Sequence, residues 1–138
     1  MKVKEIMSAN VETVKPTSSL RATARTLSNL NVGALPVVDE EGKLVGIITD
    51  RDVSVHAIAI GREPQSTDVQ TVMTKQVFTC KADQSLAEAA KIMEQHNIRR
   101  LAVVNENGEV VGILTVDDIA QVSHELAGGV LEAAIAIH

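Results

Sequence analysis

The feature that constrains this chain most is a gapless internal repeat: residues 3–53 return as residues 69–119. At this offset Val3 meets Val69, Met7 meets Met73 and Ser19-Leu20 meets Ser85-Leu86. Further along, Val37-Val38 meets Val103-Val104, Val45-Gly46-Ile47 meets Val111-Gly112-Ile113, Thr49 meets Thr115 and Asp52 meets Asp118. Self-similarity of this length implies units that bury their apolar faces against each other.

Each copy carries the same succession of patterns. A short strand is expected at Val11–Val14 and again at Val77–Cys80. A helix follows, with Leu20, Ala24, Leu27 and Leu30 at helical spacing in the first copy and Leu86, Ala90 and Met93 in the second. Ser85 with Glu88 has the form of a capping box. Strands at Leu35–Val38 and Leu44–Ile48 flank a turn at Glu41-Gly42. Their counterparts at Leu101–Val104 and Val110–Leu114 flank Asn107-Gly108, and both turns suit hairpins. Thr49 and Thr115 then open a second helix. In the first copy that helix is expected to run on through Val53–Ile60 to Gly61, with Pro64-Gln65-Ser66 as loop. The order is β-α-β-β-α, twice, a mixed α+β chain. Its divisions are a first motif over 1–60, a linker over 61–68, a second motif over 69–123 and a tail over 124–138. Beyond Ser123 the tail holds Gly128-Gly129 and an Ala/Ile-rich stretch, either a short helix packed on a partner or a frayed end.

Composition narrows the function. The chain is 45% hydrophobic, almost wholly Val, Ile, Leu and Ala with Phe78 as its one aromatic, so a core of mixed helix and strand is affordable. A net charge of -5 argues against nucleic acid or an anionic membrane as the partner. One cysteine, Cys80, excludes an internal disulfide framework and reads as a small core residue. No apolar run suits a signal peptide or a membrane span, which makes a cytoplasmic protein the expectation. His56, His96, His124 and His138 show no metal-ligand spacing and are expected in structural or surface roles. No nucleophile, base and orienter stand together, so neither an enzyme nor a catalytic cofactor is expected.

The repeat and its motifs together resemble the CBS domain family. The resemblance rests on Val32-Gly33-Ala34-Leu35-Pro36-Val37-Val38-Asp39 and Leu44-Val45-Gly46-Ile47-Ile48-Thr49-Asp50-Arg51-Asp52. In the second copy it rests on Ile98-Arg99-Arg100-Leu101-Ala102-Val103-Val104-Asn105 and Val110-Val111-Gly112-Ile113-Leu114-Thr115-Val116-Asp117-Asp118. It spans nearly the whole chain and is similar to small bacterial or archaeal stand-alone pairs. It implies a tandem pair, or Bateman module, whose repeats pack through their sheets about a pseudo-two-fold axis and leave two clefts. It also implies an adenosine ligand there: AMP, ADP, ATP or S-adenosylmethionine.

Thr49-x-x-Asp52 and Thr115-x-x-Asp118 are the first candidate site. Each lies where a strand ends and a helix begins, with amide N–H groups facing outward. A carboxylate there can accept two hydrogen bonds from a ribose diol, and a hydroxyl can donate to phosphate. The same spacing is equally an ordinary helix cap. The resemblance assigns ribose to the Asp and phosphate to the Thr. Arg99 and Arg100 precede a buried strand and are not needed for packing. They are either a phosphate fork, shared near the centre of the module, or a surface pair bridged to Glu94 or Asp117. Arg51 is either a further phosphate contact or an exposed first-turn residue; its counterpart, Asp117, cannot be such a contact. The resemblance places adenine beside Val11, Thr13, Ala34 and Pro36 in one copy and Val77 and Thr79 in the other, with Ala102 where the family has Pro.

The leading expectation is therefore a regulatory module that senses an adenosine nucleotide and reports to an unidentified protein partner. The alternative is a ligand-independent dimerisation or scaffold protein. A homodimer is expected through helix faces around Val53–Ile60 and Ile119–Leu126, as in similar proteins.

Overall fold

The computed structural model describes residues 1–135; Ala136, Ile137 and His138, the end of the tail, lie outside the described residues. The chain is mixed α and β, and it forms two compact units whose boundaries are offset from the sequence repeat. Unit 2 is the contiguous stretch Glu12–Val77, whereas unit 1 joins Met1–Val11 to the chain from Phe78 onward.

Unit 1 is built on a four-stranded sheet. Its strands are β1 (Ser8–Ala9), β4 (Thr79–Lys81), β5 (Arg100–Val104) and β6 (Val110–Thr115), in the order β1-β6-β5-β4. β5 and β6 are the expected hairpin, and β4 joins β5 in parallel. Unit 2 repeats the plan around the hairpin of β2 (Ala34–Val38) and β3 (Leu44–Thr49). Isolated bridges from Val14 to Val37 and from Thr74 to Ile47 stand where β4 and β1 stand in unit 1. Both hairpins turn at a glycine of positive φ, Gly42 at 82° and Gly108 at 83°. Asp39 Oδ1 accepts from the amides of Glu41 and Lys43, and Asn105 Oδ1 accepts from those of Asn107 and Glu109, so a short polar side chain organises each turn.

The long helices begin where their caps predict. α1 (Leu20–Leu30) starts at Ser19, whose hydroxyl accepts from the Ala22 amide. α4 (Leu86–His96) starts at Ser85 in a reciprocal capping box with Glu88. Both end on a left-handed asparagine, Asn31 or Asn97, which closes the last turn. The ring of Phe78 stacks on His96 with centroids 3.6 Å apart and pins the end of α4.

Several expected elements are shorter. The first expected strand shrinks to the single bridge at Val14, and its counterpart is displaced to Thr79–Lys81. α2 (Asp50–His56) stops at Ala57 and gives way to a 3-10 turn at Ile58–Ile60, closed by left-handed Gly61. A one-turn helix, α3 (Val69–Val72), and β1 are too short to leave a periodic signal. α5 (Val116–Ala120) is also brief, but the chain then forms α6 (His124–Ile135), which continues through Gly128-Gly129 and packs on α4 and α5. Among the described residues no helix is long and apolar enough to cross a membrane.

Each unit has its own aliphatic core. In unit 1, Val3, Ala90, Met93, Leu101, Leu114, Ile119 and Val130 are buried in one cluster; in unit 2, Leu20, Leu27, Leu35, Val37, Ile48 and Val69 are. The leading segment of each repeat thus completes the core around the other repeat's hairpin: Val3 belongs to unit 1 and Val69 to unit 2. Gly46 and Gly112 make room for it. A Cβ on Gly112 would lie 2.7 Å from Met7 Sδ and 2.8 Å from the Ser8 carbonyl oxygen; on Gly46 it would lie 2.7 Å from Met73 Sδ.

Two stability effects follow from these positions. Gly112→Ala is expected to destabilise by about 1–3 kcal/mol in urea unfolding, because the Ser8 backbone cannot retreat without breaking β1. An unchanged midpoint would mean that the approach is loose. Thr23, buried in α1, has a hydroxyl with no hydrogen-bond partner among the described residues, and the other repeat has Ala89 in its place. Thr23→Val keeps the shape and removes the orphaned hydroxyl, so a gain of about 1 kcal/mol is expected in the same assay; a loss would show that the hydroxyl is satisfied.

Candidate functional site

Each hairpin ends in a strand-to-helix corner, and the two corners hold the candidate residues. In unit 1, β5–β6 pairing sets Arg100 opposite Thr115, and β4–β5 pairing sets Thr79 beside Ala102. The Val116 amide donates to the Arg99 carbonyl at 2.9 Å, which fixes both arginines at the mouth of α5. In unit 2, Ala34 faces Thr49, Pro36 faces Ile47, and the Val14 amide donates to the Pro36 carbonyl, which brings Thr13 alongside. Val11 and Val77 are the terminal residues of segments in opposite units, Val11 closing the leading segment of unit 1 and Val77 the end of unit 2.

Both Thr-x-x-Asp motifs form complete capping boxes. The Asp52 amide donates to Thr49 Oγ1 at 3.0 Å, and the Thr49 amide donates back to Asp52 Oδ2 at 3.0 Å. In unit 1 the matching distances are 3.1 Å to Thr115 Oγ1 and 3.0 Å to Asp118 Oδ2. A cap uses one carboxylate oxygen, so the second oxygen decides what else the motif can do.

Here the corners part. Asp52 is 3% exposed. Its Oδ1 lies 3.1 Å from His56 Nδ1, one helical turn on, and the Thr74 hydroxyl is 3.4 Å from each of its oxygens. Asp118 is half-buried, and its Oδ1 has no hydrogen-bond partner among the described residues. The repeat explains the difference, since Val122 stands where His56 would be and Ser8 where Thr74 would be. The spacing Asp52-x-x-x-His56 on one helix was the legible signal for this contact.

The charged side chains differ as well. Arg99 is exposed and Arg100 half-buried, and neither forms an ion pair among the described residues, with Glu94 and Asp117 included. Their counterparts in unit 2 are Gly33 and Ala34. Arg51 is exposed in the first turn of α2, where its amide donates to Asp50 Oδ1 at 2.8 Å. The corner in unit 1 therefore offers a carboxylate oxygen and two guanidinium groups, and that in unit 2 offers Arg51 beside an enclosed carboxylate.

Cys80 lies in β4, and burial pushes its thiol up to about 11, which leaves it protonated at neutral pH. Among the described residues no group of three or more His, Cys, Asp or Glu side chains stands together as a metal site would.

Comparison with known proteins identifies the family and the fold. The CBS domain family model matches residues 3–57 and 68–125. The CBS domain-containing protein YhcV of Bacillus subtilis is 41% identical over 131 residues, covering 94% of this chain and 91% of that one. A CBS domain pair crystallised with 5′-methylthioadenosine and S-adenosyl-L-methionine is 36% identical, with a TM-score of 0.79 over 88% of this chain and 98% of that one. Hypoxic Response Protein I, crystallised with two coordinated zinc ions, is 31% identical, with a TM-score of 0.81 over 89% of this chain and 99% of that one. Two family matches in tandem, on two hairpin units of one plan, make this chain a member of the CBS domain family that carries its domains as a pair.

Proposed function

We propose that the chain is a regulatory binding module for an adenosine nucleotide, held at the corner of unit 1. The observation that carries this reading is the unpartnered Oδ1 of Asp118 at a corner whose backbone also carries two arginines without ionic partners among the described residues. A ribose diol supplies the donors that oxygen accepts, and a phosphate supplies the anion that Arg99 and Arg100 lack. The related pair that holds methylthioadenosine and S-adenosylmethionine supports an adenosine core. The arginines favour AMP, ADP or ATP over those two ligands, one an uncharged thioether and the other a sulfonium cation.

On this reading the two motifs have divided roles. Asp118 caps α5 and reads ribose, while Asp52, occupied by His56 and Thr74, is a structural cap. One nucleotide per chain follows, with Thr115 near the phosphate and Thr79 beside the base. The work is binding rather than catalysis: the one thiol is buried and protonated. Binding becomes regulation only through a partner or assembly that distinguishes the bound form from the free form.

Titration calorimetry and thermal shift test the ligand. At a concentration about a hundredfold above its dissociation constant, AMP, ADP or ATP should add roughly 2.7 kcal/mol of stability, and the calorimetric stoichiometry should be one. No shift with any adenosine compound at millimolar concentration would leave the scaffold reading.

Variants test the division of labour. Arg100→Ala should weaken the nucleotide by about ten- to a hundredfold, through loss of a charge-assisted hydrogen bond, and leave adenosine nearly unchanged. Asp118→Ala should weaken adenosine and nucleotide alike, with a smaller loss for 2′-deoxy forms. Asp52→Ala should cost about 1–3 kcal/mol of folding stability with affinity intact, because it strips the Thr49 amide and His56 of their acceptor. Affinity lost at Asp52 and kept at Asp118 would reverse the assignment of the two corners.

A further inference from the structure

An arginine pair on α1 has no anion to answer it. Arg21 and Arg25 stand one helical turn apart, so their side chains share one side of the helix. Both are exposed, and neither forms an ion pair among the described residues. α1 itself holds no acidic residue, and Glu63 and Asp68, in the loop that carries Gln65, form no ion pair with either arginine. Ala87 and Lys91 stand at the two positions in unit 1. On a chain of net charge -5 this is an uncompensated basic edge. It borders an open cleft of about 380 Å³, lined by Ser19, Arg21, Ala22, Arg25 and Gln65.

The repeat shows what the cleft lacks. At the start of α4, Glu88 Oε1 accepts from the Ser85 hydroxyl at 3.0 Å and from the Ser85 amide at 3.4 Å. These bonds, with one from Gln84, hold the Glu88 carboxyl below its ordinary range. In unit 2 the residue in its place is Ala22. The amides of Leu20 and Arg21 donate to the carbonyls of Thr67 and Pro64, and that of Ala22 to the Ser19 hydroxyl. The Ser19 amide alone is left without an acceptor among the described residues, on the wall of the cleft.

We propose that this cleft docks an acidic segment of another protein, one carboxylate taking at Ser19 the place that Glu88 holds at Ser85, and a second lying across Arg21 and Arg25. The first accepts from the amide and hydroxyl of Ser19. The second meets two guanidinium groups, whose planar donors match a carboxylate. Ser19 and Arg25 are about 9 Å apart along the helix, a span that two side chains of one extended segment cover and a single carboxylate does not. The inference uses no residue of the nucleotide corner and stands or falls apart from it.

Fluorescence anisotropy with a labelled peptide of six glutamates, on the full chain without nucleotide, tests the proposal. Saturable binding is expected, and a peptide of six glutamines should not bind. Arg21→Ala and Arg25→Ala should each weaken binding about two- to fivefold, and the two together about tenfold or more. Ala22→Glu should weaken it about fivefold or more, because the new carboxylate fills the Ser19 cap from within, and should raise the melting temperature by about 2 °C. Lys91→Ala, in unit 1, should leave the constant within about twofold. All four positions are exposed, and circular dichroism checks that the variants fold. No binding at millimolar peptide overturns the proposal, as does binding that survives the loss of both arginines. Displacement by inorganic phosphate or a short oligonucleotide as readily as by unlabelled peptide overturns it too, and assigns the arginines to phosphate. An Ala22→Glu chain that binds as the wild type does refutes the placing of a carboxylate at Ser19.

Discussion

The close approach at Gly46 and Gly112 governs the architecture. At each of these positions a strand lets the backbone and methionine of a leading segment lie against it, and a methyl group would close the gap. Because the segment that enters belongs to the other repeat, neither repeat is a self-sufficient fold. The glycines that permit the approach sit in the hairpin, the methionines that use it sit in Met7 and Met73, and all four recur in register. The duplication is in this sense a structural requirement and not only a history.

The corners show how one local motif can serve two ends. A Thr-x-x-Asp box needs one carboxylate oxygen to close the helix, and the neighbours decide the fate of the other. In unit 2 a histidine one turn ahead and a threonine from the entering segment absorb it. In unit 1 valine and serine stand at those positions and the oxygen remains available, next to an arginine pair that the other copy lacks. The asymmetry resides in a handful of side chains laid over a symmetric backbone. A pair of domains can thus diverge in role without any change in their strands or helices.

Much of this architecture is legible in the sequence. The hairpins announced themselves through alternating aliphatic runs on either side of Glu41-Gly42 and Asn107-Gly108, and α4 through its Ser85–Glu88 box. What escaped was short or non-local. β1 spans two residues and owes its existence to pairing with β6, far away in sequence. α2 ends early as the chain after His56 tightens into a 3-10 turn that left-handed Gly61 closes, a change that the helix-compatible run Ala57-Ile58-Ala59-Ile60 does not signal. α6 survives two glycines because packing on α4 and α5 outweighs their weak helix propensity. At the corners, residue types identified both boxes, but the enclosure of Asp52 depends on Thr74, which only the fold brings near.

The exchanged leading segments also set an order of events during synthesis. Unit 2 is one unbroken stretch, so its partners have all left the ribosome once Val77 has emerged. Unit 1 differs: Met1–Val11 emerges before unit 2, yet the amide of Val3 hydrogen-bonds the carbonyl of Gln84 and that of Leu86 reaches back to Met1. Residues 1–11 are therefore made before unit 2 and placed only after it, so Val3, Ile6 and Met7 wait in solution through the translation of an entire domain. Their exposure in that interval is a hazard of aggregation. Lys2 and Lys4, which in the finished protein reach Asp83, keep that waiting segment charged and hydrated.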